Sequence, residues 1–213
     1  MTEQDRPSIA VNSDGPYLVR SLEHLQGPNG PLENRATVAL CRCGASAKKP
    51  FCDGAHARVE FSGANEADST KDVRESFIGA QITVHDNRSV CAHAGVCTEG
   101  LAAVFRQKQE PWIDPDGATA AEIIDIVRRC PSGALSYSIG DTEHREREAA
   151  GEGSIFVVPR GPYAVSGAPA LPDMPRGTGA AEGHFTLCRC GASKNKPFCD
   201  GTHWNVDFDG EGG

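Results

Sequence analysis

The middle of the chain has the most regular alternation of apolar and polar positions. Ile82 and Val84 alternate with polar neighbours, which predicts a strand. Leu101, Val104 and Phe105 follow at the spacing of one helix face. This segment therefore predicts a strand and then a short amphipathic helix.

A second helix is predicted further along. Thr119 and Glu122 have the spacing of a capping box, in which each side chain accepts from the other residue's backbone N–H. Apolar side chains then recur at i, i+3, i+4 and i+7, as Ala120, Ile123, Ile124 and Val127. Pro131 ends this helix, and Leu135 and Tyr137 fit a closing strand.

Large apolar residues are scarce over the whole chain. Leu, Ile, Val and Phe make up 40 of the 213 residues, about 19%, which is just under the level at which disorder becomes the default interpretation. No apolar stretch is long enough to span a membrane, and the N-terminus does not resemble a signal peptide. A pI near 5.4 argues against nucleic-acid binding. These features predict a cytoplasmic chain of small domains with no nucleic-acid or membrane partner.

The nine cysteines fall into three groups of three. The groups are Cys41, Cys43 and Cys52; Cys91, Cys97 and Cys130; and Cys188, Cys190 and Cys199. An odd number of cysteines without a secretion signal argues against a disulfide framework. Closely spaced cysteines in such a chain indicate metal binding.

Two of these groups lie in an internal repeat. Residues 41–61 and 188–208 share 15 of 21 positions at a constant offset of 147. Each copy is preceded by a Gly-Pro-Tyr segment, so we define the first repeat as residues 15–61 and the second as residues 161–208. Polar stretches at 62–74 and 141–153 are predicted linkers, and the segment between them, residues 76–139, is called the insert.

Each repeat has the ligand pattern C-x-C-x8-C-x3-H. The candidate ligands are Cys41, Cys43, Cys52 and His56 in the first repeat and Cys188, Cys190, Cys199 and His203 in the second. Thiolates and imidazole suit zinc or an iron–sulfur cluster, and spacing alone leaves both open. Gly44 and Gly191 follow the C-x-C pair and allow a tight turn.

Both copies resemble the CDGSH iron–sulfur domain. The resemblance rests on Cys-Arg-Cys-Gly-Ala-Ser, Lys-Pro-Phe-Cys-Asp-Gly and the final His, and it extends over roughly half the chain. It implies one [2Fe–2S] cluster per repeat, with one iron on the C-x-C pair and the other on the third Cys and the His. It also implies that the two copies pair as an intertwined internal dimer, so that the chain is a monomer.

Five basic residues lie next to these ligands: Arg42, Lys48, Lys49, Arg189 and Lys196. One interpretation is that they offset cluster charge and shift its potential. The alternative is a solvated surface of basic side chains.

The insert carries the third group of cysteines. Its pattern is Cys91-x5-Cys97 followed by a distant Cys130-Pro131. This arrangement resembles the divergent mono-cluster ferredoxin-like family, which implies a [4Fe–4S] cluster, although three thiolates alone would suit [3Fe–4S]. His93 is a possible fourth ligand. Trp112 and Ile113 are expected to cover the cluster.

We therefore predict a small, loop-rich α+β protein stabilised by clusters. Its predicted domains are 1–66 (CDGSH-type), 67–142 (ferredoxin-like α/β insert) and 143–213 (CDGSH-type). The predicted function is single-electron transfer to a redox partner protein. The alternatives are a cluster carrier or redox/iron sensor that serves an apo-acceptor protein, and a structural zinc module. No enzymatic activity is predicted, because no nucleophile or pair of carboxylates stands out.

Overall fold

The computed structural model describes residues 6–145, 153–167, 171 and 174–210. In chain order its elements are β1 (Ser8–Val11), β2 (Tyr17–Arg20), β3 (His24–Gly27), β4 (Gly30–Pro31), β5 (Thr37–Leu40), α1 (Ala55–Arg58), β6 (Arg74–Ile78), β7 (Thr83–Asn87), α2 (Val96–Gly100), α3 (Ala120–Arg128), β8 (Leu135–Ile139), β9 (Thr142–His144), β10 (Ser154–Val157), β11 (Tyr163–Ser166) and β12 (His184–Leu187). Single turns of 3₁₀ helix lie at Ser69–Lys71 and Thr202–Asn205. The described chain is mostly strand and loop with few helices, which confirms the α+β prediction.

Part of the predicted connecting sequence lies outside the described residues. This applies to residues 146–152 of the second predicted linker. The three domain boundaries stay predictions. β9 continues the insert's sheet to His144, just past the boundary predicted at residue 142.

Each repeat, together with the strand that precedes it, forms an antiparallel three-stranded arrangement. β1, β2 and β5 make the first, and β10, β11 and β12 make the corresponding part of the second. The tyrosine of each Gly-Pro-Tyr segment, Tyr17 or Tyr163, begins the central strand and is fully buried. The repeated sequence therefore specifies the same strand arrangement twice.

One hairpin of the first repeat belongs to the sheet of the second. β3 pairs in parallel with β10, so that Leu25 lies opposite Ile155, and β4 completes the edge. The resulting five-stranded sheet has the order β12-β11-β10-β3-β4. The two repeats are therefore joined by backbone hydrogen bonds as well as by the chain between them.

A single apolar core lies between the paired repeats. It consists of Ile9, Tyr17, Val19, Leu22, Leu25, Val38, Leu40, Ile155, Val157, Tyr163, Val165, Phe185, Leu187 and Phe198. The Tyr17 and Tyr163 rings meet edge to face at its centre, with centroids 6.1 Å apart. Since each repeat contributes only half of this core, neither repeat has a complete core of its own.

The insert has a second core between its sheet and α3, to which Ala180 of the second repeat also contributes. The sheet order is β6-β7-β8-β9, and the described core is Ile82, Val84, Val90, Val104, Phe105, Ile113, Ile123, Ile126, Val127, Cys130, Ala134, Leu135, Tyr137 and Ala180. The capping box of Thr119 and Glu122 is present, and Ile123 and Val127 of the predicted stripe are buried. The closing strand is β8.

The predicted helix face of Leu101, Val104 and Phe105 is wrong. The helix here is α2, and it ends at Gly100. Phe105 instead forms a β-bridge with Ile113, and Asp114 N donates to Val104 O at 2.8 Å. Phe105 N still donates to Leu101 O at 3.0 Å, so a single turn remains before the chain enters the bridge, and the apolar side chains still reach the core.

In the part of the chain that the structure describes, no helix is both long enough and apolar enough to cross a membrane.

Candidate metal sites

The first repeat places its four candidate ligands in a loop and the short helix that follows β5. Cys41 follows β5 directly, and its N–H donates to Pro50 O at 2.7 Å. Gly44 has φ +77, a left-handed conformation that favours glycine, and allows the turn after the C-x-C pair. The Asp53 carboxylate accepts from Ala47 N and Ala55 N, and thereby fixes the start of α1, where His56 lies.

The ligands of each repeat form two close pairs. Cys41 Sγ and Cys43 Sγ lie 3.8 Å apart, and Cys52 Sγ lies 3.5 Å from His56 Nδ1. In the second repeat the corresponding distances are 3.9 Å for Cys188 and Cys190 and 3.4 Å for Cys199 and His203. The two repeats therefore present the same arrangement of donors.

These distances match two ligands on one tetrahedral metal. With metal–sulfur and metal–nitrogen distances near 2.3 and 2.0 Å, two sulfurs lie about 3.8 Å apart and a sulfur and a nitrogen lie about 3.5 Å apart. Each pair therefore suits its own metal ion. Among the described residues, no group of three His, Cys, Asp or Glu side chains is placed to hold a single ion.

The local environment prepares the sulfurs for metal binding. The hydrogen bond between the paired thiols lowers the pKa of Cys41 to about 6, and its counterpart in the second repeat lowers the pKa of Cys190 to about 6. One sulfur of each pair is therefore the more readily ionised of the two. The N–H groups of Gly54 and Gly201 lie 3.4 and 3.5 Å from Cys52 Sγ and Cys199 Sγ.

The two ligand loops touch each other at the centre of the paired repeats. Cys43 and Cys190 form an isolated antiparallel bridge. A methyl group at Gly44 would lie 2.5 Å from Cys190 O, and one at Gly191 would lie 2.5 Å from Cys43 O. Glycine is therefore required at both positions for this backbone approach as well as for the turn.

The buried tyrosines connect each repeat to the other's ligand loop. Tyr17 Oη lies 2.9 Å from both Cys188 O and Pro197 O. Tyr163 Oη lies 2.9 Å from both Cys41 O and Pro50 O. Each metal site is thus buttressed by a side chain from the opposite repeat.

The interpretation of Arg42 and Arg189 as solvated surface residues is wrong. Both are buried, with 3% and 2% exposure. Arg42 donates to Asn12 O and Gly63 O, and Arg189 donates to carbonyls that include Gly161 O and Val158 O. Both guanidinium groups therefore hold the backbone around the ligand loops in place through these hydrogen bonds.

The other three basic residues have different environments. Lys48 is exposed, and Lys49 is partly buried with its Nζ 3.8 Å from Asp209. Lys196 is buried. Their predicted influence on cluster potential stays a prediction.

The three insert cysteines line one cavity of about 600 Å³. Trp112 also lines it, whereas Ile113 lies in the insert core. Burial, together with the nearby Cys130 sulfur, raises the pKa of Cys91 to about 12 and that of Cys97 to about 11. The three cysteines therefore line the space that one shared polynuclear site would occupy.

Asp86 is a residue of this cavity that the sequence interpretation missed. It is 2% exposed, and its Oδ2 has no hydrogen-bond partner among the described residues. Burial raises the pKa of its carboxyl to about 7. The signal was present in the alternation of β7, because Asp86 follows Val84 by two residues and shares its core-facing side.

His93, the possible fourth ligand, also lies against the second repeat. Its backbone N–H donates to Cys91 Sγ at 3.4 Å. Its ring is so close to Gly201 that a methyl group there would lie 2.7 Å from His93 Cδ2. Its predicted role as a ligand stays a prediction.

Comparison with known proteins finds two family matches along the chain. Residues 14–57 and 160–204 match the iron-binding zinc finger of CDGSH type. Residues 77–140 match the divergent 4Fe-4S mono-cluster family. The first match includes every predicted ligand of the two repeats, and the second includes Cys91, Cys97 and Cys130.

Two curated relatives are similar to part of the chain. Both are described as uncharacterized protein YjdI, one from Escherichia coli strain K12 and one from Escherichia coli O157:H7. Each is 39% identical over 61 residues, which is 29% of this chain and 80% of the relative. No solved structure matches the chain.

Proposed function

Because this chain belongs to the CDGSH iron-binding family, with a divergent 4Fe–4S mono-cluster segment between its two CDGSH domains, we propose that it carries single electrons between iron–sulfur sites. The chain is an iron–sulfur protein. The observation that carries the electron-transfer proposal is the contact of residues 91–95, which follow from Cys91, with the turn of the second repeat that carries His203. That contact brings two different cluster sites together within one chain.

Each repeat would hold a [2Fe–2S] cluster through its two ligand pairs. Cys41 and Cys43 would hold one iron, and Cys52 and His56 the other; Cys188, Cys190, Cys199 and His203 would do the same in the second repeat. When bound, such clusters supply reversible one-electron chemistry, with a potential expected between about −400 and +300 mV for a single His ligand. Gly54 N–H and Gly201 N–H would donate to the ligand sulfurs and stabilise their negative charge.

For the insert we propose a [4Fe–4S] cluster with Asp86 as its fourth ligand. Three thiolates leave one iron of a cubane without a protein ligand, while a buried carboxylate oxygen without a hydrogen-bond partner, such as Asp86 Oδ2, is costly. Asp86 lines the same cavity as Cys91, Cys97 and Cys130. Coordination by Asp86 would give the fourth iron a protein ligand and the buried carboxylate a partner. A [3Fe–4S] cluster is the alternative if Asp86 does not bind.

The Asp86→Asn variant tests this ligand. We expect it to load about one iron fewer per chain and to show the EPR signal of an oxidised three-iron cluster, because the amide is a poor replacement for the carboxylate. His93→Ala is the matched control and should retain the wild-type signal. The opposite result, with only His93→Ala converted, would identify His93 as the fourth ligand instead.

The cofactor content provides a more general prediction. Anaerobically purified protein should contain about eight irons with matching sulfide, from two [2Fe–2S] clusters and one [4Fe–4S] cluster, or about seven irons with [3Fe–4S]. The measurement is iron and sulfide analysis together with EPR of the reduced protein. Colourless protein with zinc and no sulfide would establish the zinc module and contradict the redox proposal.

A second candidate function is a cluster carrier or a redox or iron sensor. Partial exposure of Cys52 and His56 in the first repeat favours the carrier. Stable clusters with fast, reversible reduction favour electron transfer, whereas transfer of intact clusters to an apo-acceptor favours the carrier. Under the electron-transfer proposal the protein is a cytoplasmic monomer without enzymatic activity, its insert is ferredoxin-like, and its partner is a redox protein.

A further inference from the structure

The insert contacts one of the two CDGSH sites directly. The Cys91 loop, defined as residues 91–95, lies against the turn that carries His203. Trp204 Nε1 donates to His93 O at 3.1 Å, and the His93 ring packs on Gly201. The first repeat has Ala57 where the second has Trp204, so it lacks this donor.

Further contacts hold the insert against the second repeat. Asn195 Nδ2 donates to Ser89 O at 3.2 Å, and Ala181 N donates to Gly133 O at 3.2 Å. Asn195 stands where the first repeat has Lys48, which is exposed. Two of these contacts, those of Trp204 and Asn195, therefore use residues that distinguish the second repeat from the first.

The two sites differ in burial although their ligands are the same. Cys199 and His203 are 3% and 5% exposed, whereas Cys52 and His56 are only partly buried. A methyl group at Gly54, the counterpart of Gly201, would meet no described atom within 4 Å. The difference therefore lies on the Cys–His side of each site, where the Cys91 loop covers only the second.

We propose that the Cys91 loop is a cap on the second CDGSH site, so that the first site exchanges its cluster with acceptors and the second retains its cluster. An acceptor thiol or a chelator must reach a ligand atom before it can displace it. That approach is open at Cys52 and His56 and closed at Cys199 and His203. The inference requires only that both CDGSH ligand sets bind clusters, as the proposed function states. It therefore applies to an electron carrier as well as to a cluster carrier.

Site-resolved alkylation of the intact, fully loaded protein tests the cap. A bulky iron chelator and iodoacetamide are added together, and mass spectrometry follows the peptides that contain Cys52 and Cys199. We expect Cys52 to be alkylated at least about tenfold faster than Cys199. Equal rates in the wild-type protein would overturn the proposal.

Two alanine variants identify the cause of the difference. Gly201→Ala forces the His93 ring away, and we expect it to bring the rate at Cys199 close to that at Cys52. Gly54→Ala is the matched control, because both glycines have the same left-handed conformation, with φ +84 and +87, and the control has no neighbour to displace. If Gly54→Ala raised the Cys52 rate by the same factor as Gly201→Ala raised the Cys199 rate, the cause would be backbone strain and not the cap.

Trp204→Ala provides a test that does not depend on a glycine. It gives the second repeat the residue that the first repeat has at this position, and it removes the donor to His93 O. We expect faster alkylation of Cys199 with the Cys52 rate unchanged. If Gly201→Ala fails to load iron, an unchanged Cys199 rate in Trp204→Ala overturns the cap. Redox behaviour is measured separately by reversible reduction, so failure of the cap and failure of electron transfer give different results.

Discussion

Gly44→Ala is expected to separate the two ligand loops and to impair loading of both CDGSH sites. The new methyl group would lie 2.5 Å from Cys190 O, a backbone atom that cannot rotate away. The left-handed conformation of Gly44 adds about 1–2 kcal/mol, and displacement of the Cys43–Cys190 bridge should bring the total destabilisation to about 3–5 kcal/mol. Gly191→Ala should behave in the same way, because its methyl group meets Cys43 O at the same distance.

The measurement is the thermal midpoint of the loaded protein together with its iron content. Gly54→Ala is again the control, since it introduces the same backbone strain at φ +87 without a neighbour. We expect the control to lose only about 1–2 kcal/mol and to load normally. If the two variants lost equal stability, the contact between the loops would not contribute to the pairing of the repeats.

Removal of iron and sulfide is expected to abolish ordered packing in both repeats. Ligation of structural zinc supplies about 10–16 kcal/mol in small domains, which is comparable to the whole stability of a typical domain. The shared core has only 14 described side chains, and the ligand loops add few apolar residues to it. Without metal, little remains to hold the thiols of each pair close together.

Near-UV circular dichroism measures this loss, because Tyr17 and Tyr163 lie at the centre of the shared core. The signal should collapse on anaerobic chelation and return on reconstitution with iron and sulfide. The return of the signal is the control, since it separates loss of the cluster from irreversible damage. An unchanged spectrum in the iron-free chain would contradict the idea that the clusters compensate for scarce apolar residues.

Local chemistry explains which features could be predicted from the sequence. Ligand spacing and the 147-residue offset identified both repeats because cluster ligation requires fixed residues at fixed spacing. The capping box at Thr119 and the strand at Leu135 depend on near neighbours in sequence, and both are present. The predicted helix at Leu101 fails because Val104 and Phe105 bond to the 112–114 segment, which is a tertiary constraint.

The remaining features depend on contacts between distant residues. The pairing of β3 with β10 cannot be predicted from local sequence, because the sequence of a four-residue strand does not indicate which strand it pairs with. Burial of Arg42 and Arg189 depends on carbonyls that other segments bring to them. The cap on the second site could have been suspected from Trp204, the aromatic residue that replaces Ala57, but its contact with His93 required the docked insert.

The crossing of β3 into the second repeat's sheet also has a consequence for how the protein is made. A ribosome exposes His24–Gly27 well before Ser154–Val157, the strand with which β3 pairs. At typical elongation rates the interval is on the order of ten seconds. During that time the first ligand set exists without the second repeat's Cys190 loop and Tyr163, and β3 is an unsatisfied edge. We therefore expect the first site to gain its full support only in the finished chain, and a truncated nascent chain has an open strand edge that another copy can occupy.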